Sequence, residues 1–190
     1  MKDMGNSMYE KRFSGDITRL RSAERVERLE VERVIRLCLE GAGFKRILDV
    51  GTGSGLFAEG FAGRSMSVTG IDANPEMLPA ARSYLPQSNF LQAIAEELPF
   101  AKGSFDLAFY GLVLHEADDP LMVLQAAQRV SRKRVCLLEW PYREQTFGPP
   151  METRLSPGRL EELFHQAGFT RWECIRLENT DLYRLDIDSK

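Results

Sequence analysis

Cysteine is scarce in this chain, with Cys38, Cys136 and Cys174 the whole supply among 190 residues. They are odd in number, far apart and set in apolar stretches, so they read as small buried hydrophobes and not as a disulfide framework or a zinc set. No metal is expected. Histidine is scarcer still: only His115 and His165 are present, which leaves two positions for imidazole chemistry. A basic excess is also missing. The formal charge is -3, and the arginines between Arg12 and Arg36 have Glu24, Glu27, Glu30, Glu32 and Glu40 among and beside them. That is the pattern of a solvated helix face and sets up no field for nucleic acid. No apolar run approaches the length that spans a bilayer, and the start Met1-Lys2-Asp3-Met4-Gly5-Asn6 lacks the apolar core of a secretory signal. No membrane or nucleic-acid partner is therefore expected, and a cytoplasmic location is. With 43% hydrophobic and 28% charged residues, residues 1–190 are expected to form one globular domain.

What is present centres on residues 47–62, Ile-Leu-Asp-Val-Gly-Thr-Gly-Ser-Gly-Leu-Phe-Ala-Glu-Gly-Phe-Ala. This reads as strand, glycine turn, helix. Gly51, Gly53 and Gly55 clear side chains where the backbone bends and where a ligand can approach N–H groups at a helix start. Asp49 stands near the carboxyl end of the strand, the end at which open α/β sheets bind ligands. Two familiar loops are absent. A phosphate loop needs Gly-Lys-Ser/Thr, and a dinucleotide fingerprint needs its third glycine where Leu56 stands. A second strand over 66–71 ends at Asp72, placed to accept two hydrogen bonds from a ribose diol. Taken together, Asp49-x-Gly51-x-Gly53-x-Gly55 and Asp72 resemble the first two motifs of the class I S-adenosylmethionine-dependent methyltransferases.

The rest of the chain extends that resemblance. Ser22 is expected to cap a helix to about Leu39, stopped by Gly41. Asn74-Pro75 opens another helix, which Pro79 kinks or delays. Residues 89–95 form a third strand, and Ala95-Glu96-Glu97-Leu98-Pro99-Phe100 is similar to the family's Ala-Glu-x-Leu-Pro-Phe segment at the adenine. Ile94 departs from the pattern, since relatives usually place an aspartate there. A fourth strand covers 104–110. The Leu114-His115 and Asp119-Pro120 pairs resemble a Leu-His-x-x-x-Asp-Pro pattern of small methyltransferases in the same broad group as the quinone-biosynthesis enzymes, with Asp119 capping a helix. Ser131-Arg132-Lys133 is expected to be a short remote loop before a fifth strand over 134–139. The proline-rich insert 140–156 is a candidate acceptor lid. A last helix over 156–168 carries His165, read as structural or exposed, and strands over 171–178 and 182–187 close the chain.

The resemblance implies an α/β, Rossmann-like, seven-stranded and mostly parallel sheet with helices on both faces, its last strand antiparallel beside the fifth. It implies S-adenosyl-L-methionine as cofactor, held by Asp49, Gly51, Thr52, Gly53, Gly55, Asp72, Ala73, Ala95, Glu96, Tyr110 and Gly111. A segment over 1–40 covers the site, with Tyr9, Phe13 and Arg19 as candidate pocket residues. The acceptor is expected to be a small molecule, and a homodimer is the candidate assembly. Methyl transfer needs no obligatory base, but His115 is the candidate catalytic residue near the pocket, with Glu116, Glu139 and Tyr142 as further polar candidates. The alternatives are a noncatalytic S-adenosylmethionine-binding module and a nicotinamide-dependent oxidoreductase.

Overall fold

Apolar side chains alternate onto both faces of the central strands, and the helices are arranged to cover them. The computed structural model describes residues 17–41 and 43–188. In chain order it contains α1 (Ala23–Arg28), α2 (Val31–Leu39), β1 (Arg46–Val50), α3 (Leu56–Ala62), β2 (Ser67–Asp72), α4 (Leu78–Tyr84), β3 (Asn89–Gln92), β4 (Phe105–Gly111), α5 (Pro120–Val130), β5 (Ser131–Glu139), α6 (Pro157–Gln166), β6 (Trp172–Arg176) and β7 (Asp181–Asp186), with short 3₁₀ turns at Ile17–Arg21, Leu114–Glu116 and Met151–Thr153. The sheet order is β3-β2-β1-β4-β5-β7-β6. Strands β1 to β5 pair in parallel, while β7 runs antiparallel between β5 and β6. This is the expected sheet, with the seventh strand inserted beside the fifth. Among the described residues no helix is long and apolar enough to cross a membrane.

The period of two along each strand sorts the core. Ile47, Leu107, Phe109, Cys136 and Leu138 pack with α2 and α3 on one face. Leu48, Val50, Ala108, Tyr110, Val135 and Leu137 pack with α5 and α6 on the other. Phe109 meets Phe57 and Phe61 of α3 at ring-centroid distances of 4.6 and 5.5 Å, close enough for aromatic attraction beyond area burial. Chain order departs from spatial order between β1 and β4, so the loops leaving their carboxyl ends diverge and open a crevice.

Three local expectations are corrected and a fourth is met. The helix over 22–39 breaks at Glu30, whose backbone is left-handed (φ +46°). The break has a tertiary cause: Glu30 Oε1 accepts the Glu178 N–H at 2.7 Å, and the Asn179 side chain donates to Arg28 O at 3.3 Å. The delay expected from Pro79 is seen, since the helix expected from Asn74-Pro75 begins at Leu78 with Pro79 in its first turn. Asn74 Oδ1 accepts the Glu76 N–H instead, an Asx turn that competes with helix start. The third strand stops at Gln92, because the chain turns out of the sheet toward 93–98. Finally, Ser131-Arg132-Lys133 is no loop. It belongs to β5, where Phe105 pairs Ser131 but Leu107 pairs Arg134, a bulge that takes up the extra residue.

Asp106 ties three central strands at their amino ends. Its carboxylate accepts the Lys45 and Arg46 N–H groups ahead of and within β1, each at 2.9 Å, and the Arg132 guanidinium of β5 at 2.7 Å. Burial opposes its charge, but the Arg46 N–H, the Arg132 side chain and the Lys45 N–H outweigh that and hold its pKa at about 2. A depressed carboxyl stabilises the fold above its unfolded value, and that contribution is lost as pH falls through the folded value. Asp106→Asn is therefore expected to cost about 2 kcal/mol at pH 7, with the gap to the parent protein closing between about pH 4 and pH 2. Urea unfolding of both proteins across that range checks it, and equal stability at pH 7 removes Asp106 from this role.

Candidate active site

Beyond Val50 the backbone turns sharply, and Gly51, Gly53 and Gly55 all have positive φ (68°, 53° and 78°). At Gly51 the reason is doubled, since a Cβ there would lie 2.4 Å from Val113 Cγ2. The turn is held by its neighbours. Thr52 N–H donates to Ile71 O at 2.9 Å and Gly55 N–H to Thr52 O at 2.8 Å. Asp72, at the end of β2, accepts the Gly53 N–H on Oδ2 at 2.8 Å and the Asn74 N–H on Oδ1 at 2.9 Å. Over this turn lies the 3₁₀ segment Ile17–Arg21. Arg21 donates to Ser54 O at 3.0 Å, pairs with Glu59 and stacks 3.6 Å above the Tyr84 ring.

The turn forms one wall of a cleft of about 450 Å³ at the carboxyl ends of β1, β2 and β4. Of the residues expected to bind a cofactor, Gly51, Gly53, Asp72, Ala73, Ala95, Glu96 and Gly111 line it. Asp49, Thr52, Gly55 and Tyr110 stand behind its walls. Asp49 is buried beneath the turn, accepting the Thr52 hydroxyl at 2.7 Å. Its pKa is raised to about 7, chiefly by burial and also by Asp72, against the hydrogen bonds from Thr52 and the Ala58 N–H of α3. Asp49 thus shapes the turn from below. Tyr110 falls, by the period of two, on the α5–α6 face and is fully buried there.

His115 also lines the cleft. Its Nδ1 is 2.7 Å from Glu139 Oε2, both side chains are under a tenth exposed, and Glu139 Oε1 accepts the Leu114 N–H at 2.8 Å. His115 Nε2 lies 3.8 Å from Glu116 Oε1. Burial disfavours the imidazolium, but Glu139 and Glu116 outweigh it and raise the His115 pKa above the ordinary imidazole range. Glu116 is itself pushed up, first by burial, then by Glu139 and Asp72, with His115 opposing. The exit from β4 that delivers these groups is strained: Leu112 is left-handed at φ +63° and its N–H is fixed to Leu138 O at 2.8 Å. A non-glycine residue held there signals an over-determined local structure.

The far wall comes from α1 and the insert, through Arg25, Arg28, Trp140, Gly148 and Pro149. The insert is wound around the buried guanidinium of Arg154, which donates to Pro149 O, Pro141 O, Arg143 O, Gln145 Oε1 and Phe147 O at 2.8–3.0 Å. Tyr142 is half exposed and outside the cleft, and Arg19 is exposed. Tyr9 and Phe13 lie outside the described residues. Leu20, Arg25, Arg28, Met77, Leu112 and Val113 line the cleft without having been expected. In the sequence the two arginines merge into the mixed charges of a solvated helix, and Leu112 carries no signal of its backbone strain.

An open, largely parallel sheet with a glycine turn and a strand-end acid at its switch point is a nucleotide-cofactor architecture. The comparisons with known proteins narrow this. Residues 48–138 match the methyltransferase domain family. It is 36% identical over 88 residues to an uncharacterized methyltransferase of Synechocystis sp., covering 45% of this chain and 42% of that protein. It is 34% identical over 110 residues to the demethylmenaquinone methyltransferase of Chlorobaculum tepidum, covering 57% and 46%. The matched part thus spans less than half the length of these curated relatives. The fold is that of a SAM-dependent methyltransferase from Aquifex aeolicus, with a TM-score of 0.77 at 24% identity over 90% of this chain and 97% of that one.

The dyad carries its own test. Glu139→Gln keeps the shape and removes the charge beside Nδ1, so the His115 pKa is expected to fall. A titration of the imidazole resonances by NMR reads this directly, and an unmoved midpoint separates the two groups.

Proposed function

We propose that the protein transfers a methyl group from S-adenosylmethionine to a small-molecule acceptor, with His115 taking the acceptor's proton. The observation that carries this reading is convergence: the glycine turn, Asp72 and His115, from three separate stretches of sequence, line one cleft, with Glu139 of a fourth bonded behind His115. The cleft is of a size for small ligands. Its residues suit the cofactor in kind. The bare backbone at Gly51 and Gly53 admits close approach, Asp72 offers a carboxylate to ribose hydroxyls, and Ala95 and Glu96 border the place expected for the base. The absence of an acid at Ile94 leaves backbone groups and Glu96 for the base edge.

When bound, S-adenosylmethionine would supply an electrophilic methyl group carried on a sulfonium. The protein aligns the acceptor and excludes water. His115 Nδ1–H donates to Glu139, which leaves Nε2 as the atom that accepts a proton from an acceptor hydroxyl. Glu139 fixes the tautomer and stabilises the imidazolium that results. The match to the demethylmenaquinone enzyme covers 57% of this chain and does not carry that enzyme's acceptor here. Cys38 and Cys136 are buried as expected while Cys174 is exposed, and all three are free; free cysteines fit a reducing compartment, and we place the reaction in the cytoplasm.

Calorimetry is expected to show one-to-one binding of S-adenosylmethionine or its demethylated product. Asp72→Ala removes charge-assisted hydrogen bonds of about 1.5–3 kcal/mol and should weaken that binding by roughly one to two orders of magnitude. Because Asp72 also holds the Gly53 and Asn74 N–H groups, some of the loss comes through the turn. Saturable NAD binding with no response to either adenosyl ligand would overturn the assignment.

The pH dependence has a definite sign. The base form of His115 is populated only above its raised pKa, so kcat/KM should climb with pH through a midpoint above the usual imidazole value. In Glu139→Gln that midpoint moves down and the plateau drops. A flat profile in the parent protein takes the proton-accepting role from His115.

A further inference from the structure

Arg25 and Arg28 stand three residues apart on α1 and both line the cleft, as residues at that spacing on a helix share a face. Arg28 has partners: it pairs with Glu24 and its guanidinium lies 4.6 Å from the centre of the Phe147 ring. Arg25 is different. Among the described residues its guanidinium makes no hydrogen bond and no ion pair. Burial and the neighbouring Arg28 both disfavour its charge, and Glu116 supports it only through space. Glu116 is itself pushed up by burial. A half-buried guanidinium with five donors and no acceptor is costly unless a ligand provides one. Arg25 lines the same cleft as Glu116 and His115, and the insert brings Trp140 and Pro149 to it.

We infer that the acceptor is a small planar acid whose carboxylate is received by Arg25, with Arg28 beside it, while its reacting hydroxyl is presented to His115. The inference rests on the methyltransferase reading and adds the acceptor class to it. Trp140 and Pro149 supply apolar surface for the ring, and the guanidinium fork matches a carboxylate in shape as well as charge.

The test uses the full chain with the demethylated cofactor product bound, and two probes of equal shape, 3,4-dihydroxybenzoate and 3,4-dihydroxybenzamide. The acid is expected to bind at least roughly 10-fold more tightly than the amide. In Arg25→Gln that preference disappears, with affinity for the acid falling by roughly 10- to 100-fold; Arg25→Lys keeps part of it. Cofactor-product affinity and the thermal melt of both variants stay at parent values. Equal binding of acid and amide by the parent protein, or binding of neither, overturns the inference without recourse to any variant. So does a folded Arg25→Gln protein that loses cofactor-product affinity, since Arg25 would then hold the cofactor's own carboxylate. Failure of the parent protein to bind any adenosyl ligand is a separate result and falls on the methyltransferase reading itself.

Discussion

The Asp72 carboxylate is the joint on which the site depends. One oxygen accepts from Gly53 and the other from Asn74, so a single side chain clamps the loop after β1 to the loop after β2. The Thr52 N–H bond to Ile71 O reinforces the same seam. A left-handed glycine turn is intrinsically loose, because glycine gives up the most conformational freedom on folding. Fixing it through a charged acceptor makes a preformed cradle from what is otherwise a flexible loop. Asp49 completes the arrangement from below, linking Thr52 to the amino end of α3.

The opposite wall uses different physics. Leu112 is forced into a left-handed backbone by its bond to Leu138 O, and this aims Leu114 and His115 at Glu139 on the adjacent strand. Glu139 answers with one oxygen for the Leu114 N–H and one for the imidazole, so the dyad is buried and still satisfied. The insert beyond Glu139 has no strand or α-helix to organise it. Arg154 does that work with a buried guanidinium bonded to five acceptors, four of them backbone carbonyls. Carbonyls that no regular ladder satisfies are gathered on one cation.

Charge is distributed unevenly around the cleft. Asp49, Asp72, Glu116 and Glu139 converge from four segments, and each raises the cost of charging the next. The upward displacements of Asp49 and Glu116 follow from burial together with that crowding, whereas burial opposes the rise at His115, which Glu139 and Glu116 impose. Arg25 and Arg28 are the cations that face this group from α1. A cofactor with a sulfonium and an acceptor with an acid would meet, respectively, the acidic and the basic side of one cavity.

Much of this was legible in the chain itself. The glycine spacing, Asp72 and the alternation of strands and helices determined the class of fold, because a parallel sheet with short crossovers leaves few topologies open. Period-two alternation sorted the buried strand residues onto the two faces of the sheet, and local capping by Ser22, Asp119 and Ser156 fixed helix starts that the structure retains. What only tertiary structure decided are features whose partners are remote in sequence. The break at Glu30 depends on Glu178 and Asn179, and the winding of the insert depends on where Arg154 is buried. Tyr110 and Gly111 are neighbours in sequence, yet one is core and the other lines the cleft. Arg25 is an ordinary helix charge until α1 is laid against the cleft. Local sequence sets backbone preferences worth fractions of a kcal/mol per residue, whereas burial of a charge and the supply of its partner are properties of the assembled fold.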